Sequence, residues 1–376
     1  MSSKLRAALS FLVLACASAA TSGCGDVETD VDPGVERASS ALTVTKLTLL
    51  NGWTRPAGPW PYPHNGTGDA GVSITNGVVQ FNGGLGGGTS SLAFILPTAF
   101  RPTSMVYVPV TLCDAKKGRL TIYPTGETYV YAENNAFSAA QCMTSLEGVS
   151  FVKSTAGYTA LTLQNGWTNA PFSTRNAVIK SMGGDARLVR FAGAIKTTGT
   201  NMQPFTIPLN LRPSTNVYLP IDLCGGTKGR LFITPAGAVT VYPEGGVTSN
   251  AQCFTSLEGV SYSTTPATPS AFSCLGAIDG WTSAPYGTRG VCLIDDGGIV
   301  RLMGAVSTSG TNNFVFWLGH LFRPSHDVFM EVDMCNGEQG HLQIFPDGTA
   351  VLKAEHGFGQ AACFTSFEGV SYVRAP

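Results

Sequence analysis

The chain has 376 residues, of which 12% are charged and 45 are glycine, and its formal net charge is −1. So even a balance excludes an electrostatic case for nucleic acid as a partner. A charged fraction about half the usual ~25%, with abundant Gly, Thr, Ser and Asn, favours short strands and turns over helices.

Lys4 and Arg6 precede an apolar run from Ala7 to Ala20. A bilayer needs about 20 such residues, so the start reads as an export signal and not as a membrane anchor. Thr21-Ser22-Gly23-Cys24 follows directly and resembles a bacterial lipobox, with Thr21 where that motif usually has Leu. Ordinary cleavage nearby, for example after Ala17-Ser18-Ala19, is the alternative. Residues 1–24 are therefore expected to be a lipoprotein-type signal peptide, with Cys24 carrying the lipid that attaches the chain to the membrane. Residues 25–46 read as a disordered tether, because Asp26, Glu28, Asp30, Asp32, Pro33 and Glu36 come with few large apolar residues. The expected location is the bacterial cell envelope or outer surface, or outside the cell if cleavage is of the ordinary type.

Beyond the tether the chain spells one stretch three times: Cys142-Met-Thr-Ser-Leu-Glu-Gly-Val-Ser-Phe151, Cys253-Phe-Thr-Ser-Leu-Glu-Gly-Val-Ser-Tyr262 and Cys363-Phe-Thr-Ser-Phe-Glu-Gly-Val-Ser-Tyr372. Each copy closes a unit that opens on a Gly-Trp pair, with tryptophans at 53, 167 and 281; 167−53 and 281−167 are both 114. Solenoid repeats run at roughly 20–50 residues, so this period means tandem copies of a whole domain. The units span 47–152, 161–263 and 274–373. Cysteines recur in register as Cys113 with Cys142, Cys224 with Cys253 and Cys335 with Cys363. One disulfide inside each unit is expected, worth roughly 3–4 kcal/mol in the chain-entropy treatment. Cys274 and Cys292 have no counterparts and are expected to pair with each other in the third unit. Metal is the rival for paired cysteines, but no CxxC and no neighbouring histidine supports it.

Within a unit the elements follow one order. Val79, Phe81, Gly83 and Leu85 after Asn76-Gly77 have the alternation of a half-buried strand beyond a hairpin turn, as do Val189, Phe191, Gly193 and Ile195, and Val300, Leu302, Gly304 and Val306. Phe100-Arg-Pro102, Leu211-Arg-Pro213 and Phe322-Arg-Pro324 mark strand entries, since proline removes an amide donor. Hairpins then turn at Pro124-Thr-Gly126, Pro235-Ala-Gly237 and Pro346-Asp-Gly348. About seven strands in about 105 residues, with no helix-period stretch, predict an all-β chain of three tandem antiparallel β-sandwiches. Linkers of about nine residues reach about 30 Å, enough to close the three units into a pseudo-trimer within one chain; beads on a string is the alternative.

The string of Asn-Gly-Trp, Gly-centred hairpin, Phe-Arg-Pro, Pro-x-Gly turn and Ser-Leu-Glu-Gly-Val-Ser-Tyr resembles the C-terminal receptor-binding domains of phage tail-fibre and baseplate proteins. That resemblance implies all-β domains that assemble as trimers and touch host surface glycans or proteins. The recurrent cysteine pair and the three copies in one chain depart from that pattern.

Recurring Trp53, Trp167 and Trp281 read as core, and Glu147, Glu258 and Glu368 as strand-end carboxylates that accept backbone hydrogen bonds. No second carboxylate or histidine recurs at a constant offset, so a glycosidase pair is not indicated. Four of the five histidines, including His320, His326 and His356, lie in the third unit at spacings that match no metal motif. No cofactor, metal or catalytic residue is expected, and the chain reads as a non-enzyme. Arg119, Arg230 and His341 follow the same glycine in the three units and are expected at equivalent points about one axis, as a polar ring able to bind a ligand. Trp60 and Tyr62, in a proline-stiffened loop present only in the first unit, are rigid aromatic surfaces suited to sugar stacking. The expected function is recognition of a surface glycan or envelope protein from a lipid tether; the alternative is a structural coat protein whose repeats bind each other.

Overall fold

Asn76 and Gly77 adopt φ of 51° and 77°, the paired left-handed step of a type I′ hairpin. In the structure, a computed structural model that describes residues 42–56, 66–184, 186–264, 272–276, 278 and 280–374, this turn joins Gly71–Thr75 to Val78–Asn82. The closing strand Ser150–Val152 extends one edge and Thr45–Lys46 the other, giving four antiparallel strands. Facing them is a second sheet in the order Leu92–Ile95, Glu127–Ala132, Lys117–Ile122 and Val106–Thr111. Phe81 lies at the heart of this sandwich, its ring 6.0 Å from both Phe94 and Phe151. Alternation along Val78–Asn82 puts one apolar row on that core.

The second and third units repeat the plan. Their meanders are Val217–Asp222, Lys228–Ile233 and Val239–Pro243, then Val328–Met334, Gln339–Ile344 and Thr349–Ala354. In the third unit the meander belongs to a seven-stranded sheet. The chain is thus all-β and antiparallel, as expected, and all four cysteine pairs stand at bonding distance. Edge strands at Thr45–Lys46, Thr159–Ala160 and Ser273–Cys274 start slightly before the expected unit boundaries at 47, 161 and 274.

Helices are present that the sequence period did not reveal. Each unit has a six-residue helix ending at its second cysteine: Phe137–Cys142, Thr248–Cys253 and Phe358–Cys363. Six residues make under two turns, too few to show a 3.6-residue pattern, and such helices form through tertiary packing. Trp53, Trp167 and Trp281 are buried beneath them, and each indole N–H donates to a backbone carbonyl, at Ser90, Asn201 and Asn312. Arg101, Arg212 and Arg323 donate to the carbonyls of Leu96, Ile207 and Leu318, which orders their own turns.

The repeated glutamates tie the closing segment of each unit to the glycine that follows its second hairpin strand. Glu147, Glu258 and Glu368 accept the N–H of Gly83, Gly193 and Gly304 at 2.6, 3.0 and 3.1 Å. Glycine is required there: φ is 81°, 93° and 91°, and a Cβ would stand 2.1–2.2 Å from a carbonyl oxygen.

Contacts between units run in a ring. The strands Val106–Thr111, Val217–Asp222 and Val328–Met334 pack pairwise against one another. Arg119 of the first unit binds Asp222 of the second, Arg230 of the second binds Asp333 of the third, and His341 of the third meets Thr111 of the first. Lys117 is buried among three carboxylates, one from each unit: Glu133 at 3.3 Å, Glu355 at 3.6 Å, and Glu244. These glutamates hold the same place in their units, so the units close on one axis as a pseudo-trimer. Both described ends of the chain reach Gly298 of the third unit. Arg374 donates its N–H to the Gly298 carbonyl at 3.0 Å, and Leu42 lies against the same glycine.

Candidate functional site

Alternation in the meander strands sends every second side chain outward. In the first unit that outer face carries Tyr107, Arg119, Tyr129 and Tyr131, in a register that sets Arg119 opposite Tyr131 and Thr121 opposite both Tyr107 and Tyr129. Tyr129 stacks on Tyr131 at 6.3 Å, and Tyr123 meets Tyr129 edge-on at 5.5 Å. The second unit adds Phe254, 5.1 Å from Tyr107, and Phe172, 5.8 Å from Phe254. The Arg119 guanidinium lies 5.1 Å from the Tyr107 ring and 5.4 Å from the Phe254 ring. An aromatic groove therefore runs along the first seam, floored by a cation–π sandwich.

The second seam has the same construction. Arg230 lies 4.9 Å from the Tyr218 ring and 5.3 Å from the Phe364 ring. Phe232 stacks on Tyr218 at 4.7 Å, Tyr242 follows at 6.3 Å, and Tyr286 sits 5.5 Å from Phe364. Large aromatic surface stays in solvent at both seams: Tyr131 is 45% exposed, Phe172 57%, Tyr242 48% and Tyr286 60%. Such a concentration of exposed rings marks a contact surface. Burial raises the Tyr107 and Tyr218 phenols above their usual range, with the neighbouring arginine pulling the other way.

The third seam is different. His341 replaces the arginine and sits 5.3 Å from Phe329, Lys353 stands where the others have Tyr131 and Tyr242, and Met143 stands where they have phenylalanine. Lys353 pairs with Asp114 at 2.7 Å. Among the described residues no aromatic groove forms at that seam.

Arg119, Arg230 and His341 do occupy equivalent points, but they do not present a polar ring. Each reaches into the following unit, where Arg119 and Arg230 are held by Asp222 and Asp333. Arg119 and Arg230 floor the two grooves, and all three residues join neighbouring units. Burial pushes both aspartates up, against the pull of the arginine charge. Trp60, Tyr62 and Cys24 lie outside the described residues. Tyr129, Tyr131 and Tyr242 escaped the sequence reading, although the alternation Tyr129-Val-Tyr131 puts two aromatics on a strand's outer face, where polar residues are usual.

Among the described residues one group has metal-ligand chemistry: Glu244, Glu338 and His356, with ligand atoms within 4.8 Å of one another. The Lys117 ammonium already sits on Glu244, so a positive charge is supplied by the protein itself.

His341 gives the third seam a pH dependence. Burial, with Lys353 adding to it, holds its pKa down to about 3, whereas the unfolded side chain titrates near 6.5. Between those values the unfolded state binds the extra proton, so stability falls as pH falls. Denaturant unfolding at pH 7 and pH 5 is expected to show a loss of about 1–2 kcal/mol that is absent in His341→Gln.

Comparison with protein-family models, with curated proteins and with solved structures finds no match to this chain.

Proposed function

We propose that the protein is a non-enzymatic binding protein of the bacterial cell surface that recognises glycans along its two aromatic grooves. The observation that carries this reading is the pair of aromatic rows, Tyr129 stacked on Tyr131 and Phe232 stacked on Tyr218 with Tyr242 tilted beside it, each near a guanidinium and each ending in an exposed ring. Sugar rings present flat C–H faces, which stack on aromatic rings that lose little entropy on binding. Two grooves in one chain also favour a multivalent ligand, because the second contact is made at high effective concentration. An attached polysaccharide fits that requirement better than a free monosaccharide.

The test is a glycan array probed with the oxidised chain, followed by titration of the best ligand. Tyr131→Ala and Tyr242→Ala are each expected to weaken binding about tenfold, roughly 1.4 kcal/mol, with unchanged thermal stability because both rings are exposed. A blank array, together with self-association that rises with concentration, would replace this reading with that of a structural coat protein.

A further inference from the structure

The three units differ at the place where the repeated glutamate is paired. In the second and third units an arginine fills it: Arg175 lies 3.3 Å from Glu258, and Arg289 lies 2.8 Å from Glu368. A Cβ on Gly193 or Gly304 would strike the backbone of the residue after that arginine, Asn176 or Gly290, and then the arginine's own carbonyl. The same test on Gly83 points to Gly68 and Asp69, so the first unit has glycine where the others have arginine. His326 of the third unit enters the space instead. Its ring lies 2.6 Å from where a Gly68 Cβ would be, and its Nε2 is 2.9 Å from Glu147.

An imidazole reaching across a seam thus takes the place of the arginine. A cleft of about 690 Å³ remains between the first and third units, lined by Lys46, Arg55, Asp69, Asn82, Ser325 and His326. Asn82 stands where the other units have Ala192 and Met303. It is 2% exposed, and its Oδ1 has no hydrogen-bond partner among the described residues. Glu147 Oε2, behind His326, is likewise buried and unpartnered. Buried polar atoms left unpaired are uncommon and call for a ligand that donates. At the mouth, Lys46 and Asp69 face each other at 2.7 Å in solvent.

We infer that this cleft binds one carboxylated sugar unit, of the hexuronate class. Its hydroxyls donate to Asn82 Oδ1 and Asp69, and its carboxylate accepts from the Lys46 ammonium at the mouth. The site is separate from the aromatic grooves and stands or falls without them.

The test is calorimetric titration of the full oxidised chain with glucuronate, with glucose as the neutral control. Saturable binding of one glucuronate per chain, at least tenfold tighter than glucose, is expected. Asn82→Ala copies the second unit, so it is compatible with the fold, and it is expected to weaken glucuronate about fivefold, the effect of one lost hydrogen bond. The pair Gly68→Arg with His326→Ser installs the first seam's pattern, in which Arg175 donates to Ser104, and is expected to abolish saturable binding. Equal affinity for glucose, or glucuronate affinity unchanged in Asn82→Ala, would overturn the inference, whether or not the double variant folds.

Discussion

Lys117→Met is expected to lower the unfolding free energy by about 3–5 kcal/mol at pH 7, because it leaves buried carboxylates without their cation. Lys117 is 4% exposed and is the counter-charge of Glu133, Glu244 and Glu355, one from each unit. Removing it turns the axis into a site of three like charges. Burial raises the Glu355 carboxyl and Glu133 pushes it further up, while the Lys117 charge holds it down. A carboxyl whose folded pKa is raised binds its proton more readily folded than unfolded, so the penalty grows as pH rises. The deficit of the variant, measured by denaturant unfolding, is therefore expected to shrink from pH 7 to pH 5. A deficit independent of pH would mean that lost packing of the lysine stem, and not charge, is the cause.

Asp333→Ala is expected to cost a similar amount, about 3–5 kcal/mol, at the second seam. Asp333 is fully buried and accepts from Arg230 Nε at 2.7 Å. Truncation leaves the guanidinium between Tyr218 and Phe364 without its anion. The third seam shows how the same position is built without ions, with His341 against Thr111. Converting the second seam to that pattern, Arg230→His with Asp333→Thr, is expected to recover most of the loss in the same unfolding measurement. That comparison separates the cost of a stranded charge from the net contribution of the pair, which for a buried ion pair is small.

The sandwich architecture was legible because it rests on local rules. Asn76-Gly77 specifies its hairpin, and the row of Val79 and Phe81 specifies its face. Cysteines repeated in register specify their own pairing. The seams were not legible, since the partners of Arg119 and Arg230 lie 103 residues away and no local pattern connects them. Gly68 was hidden by a second effect. The extra residues between Trp53 and Gly68 displace the alignment with Arg175, so the missing arginine appears only once the backbone superposes Gly83 on Gly193. The grooves fall between these cases. Their tyrosines sit at outward positions that the strand period identifies, but only the neighbouring unit's Phe172 and Phe254 make a groove of them.

The two ends of the described chain meet at Gly298, where Leu42 and Arg374 approach the same residue. A ring whose ends adjoin has no first member in any energetic sense. The order of the units along the gene is then one of three equivalent ways to cut the circle, and a circular permutant opened at a linker would keep every seam described above. The natural cut places both ends at one spot on the rim.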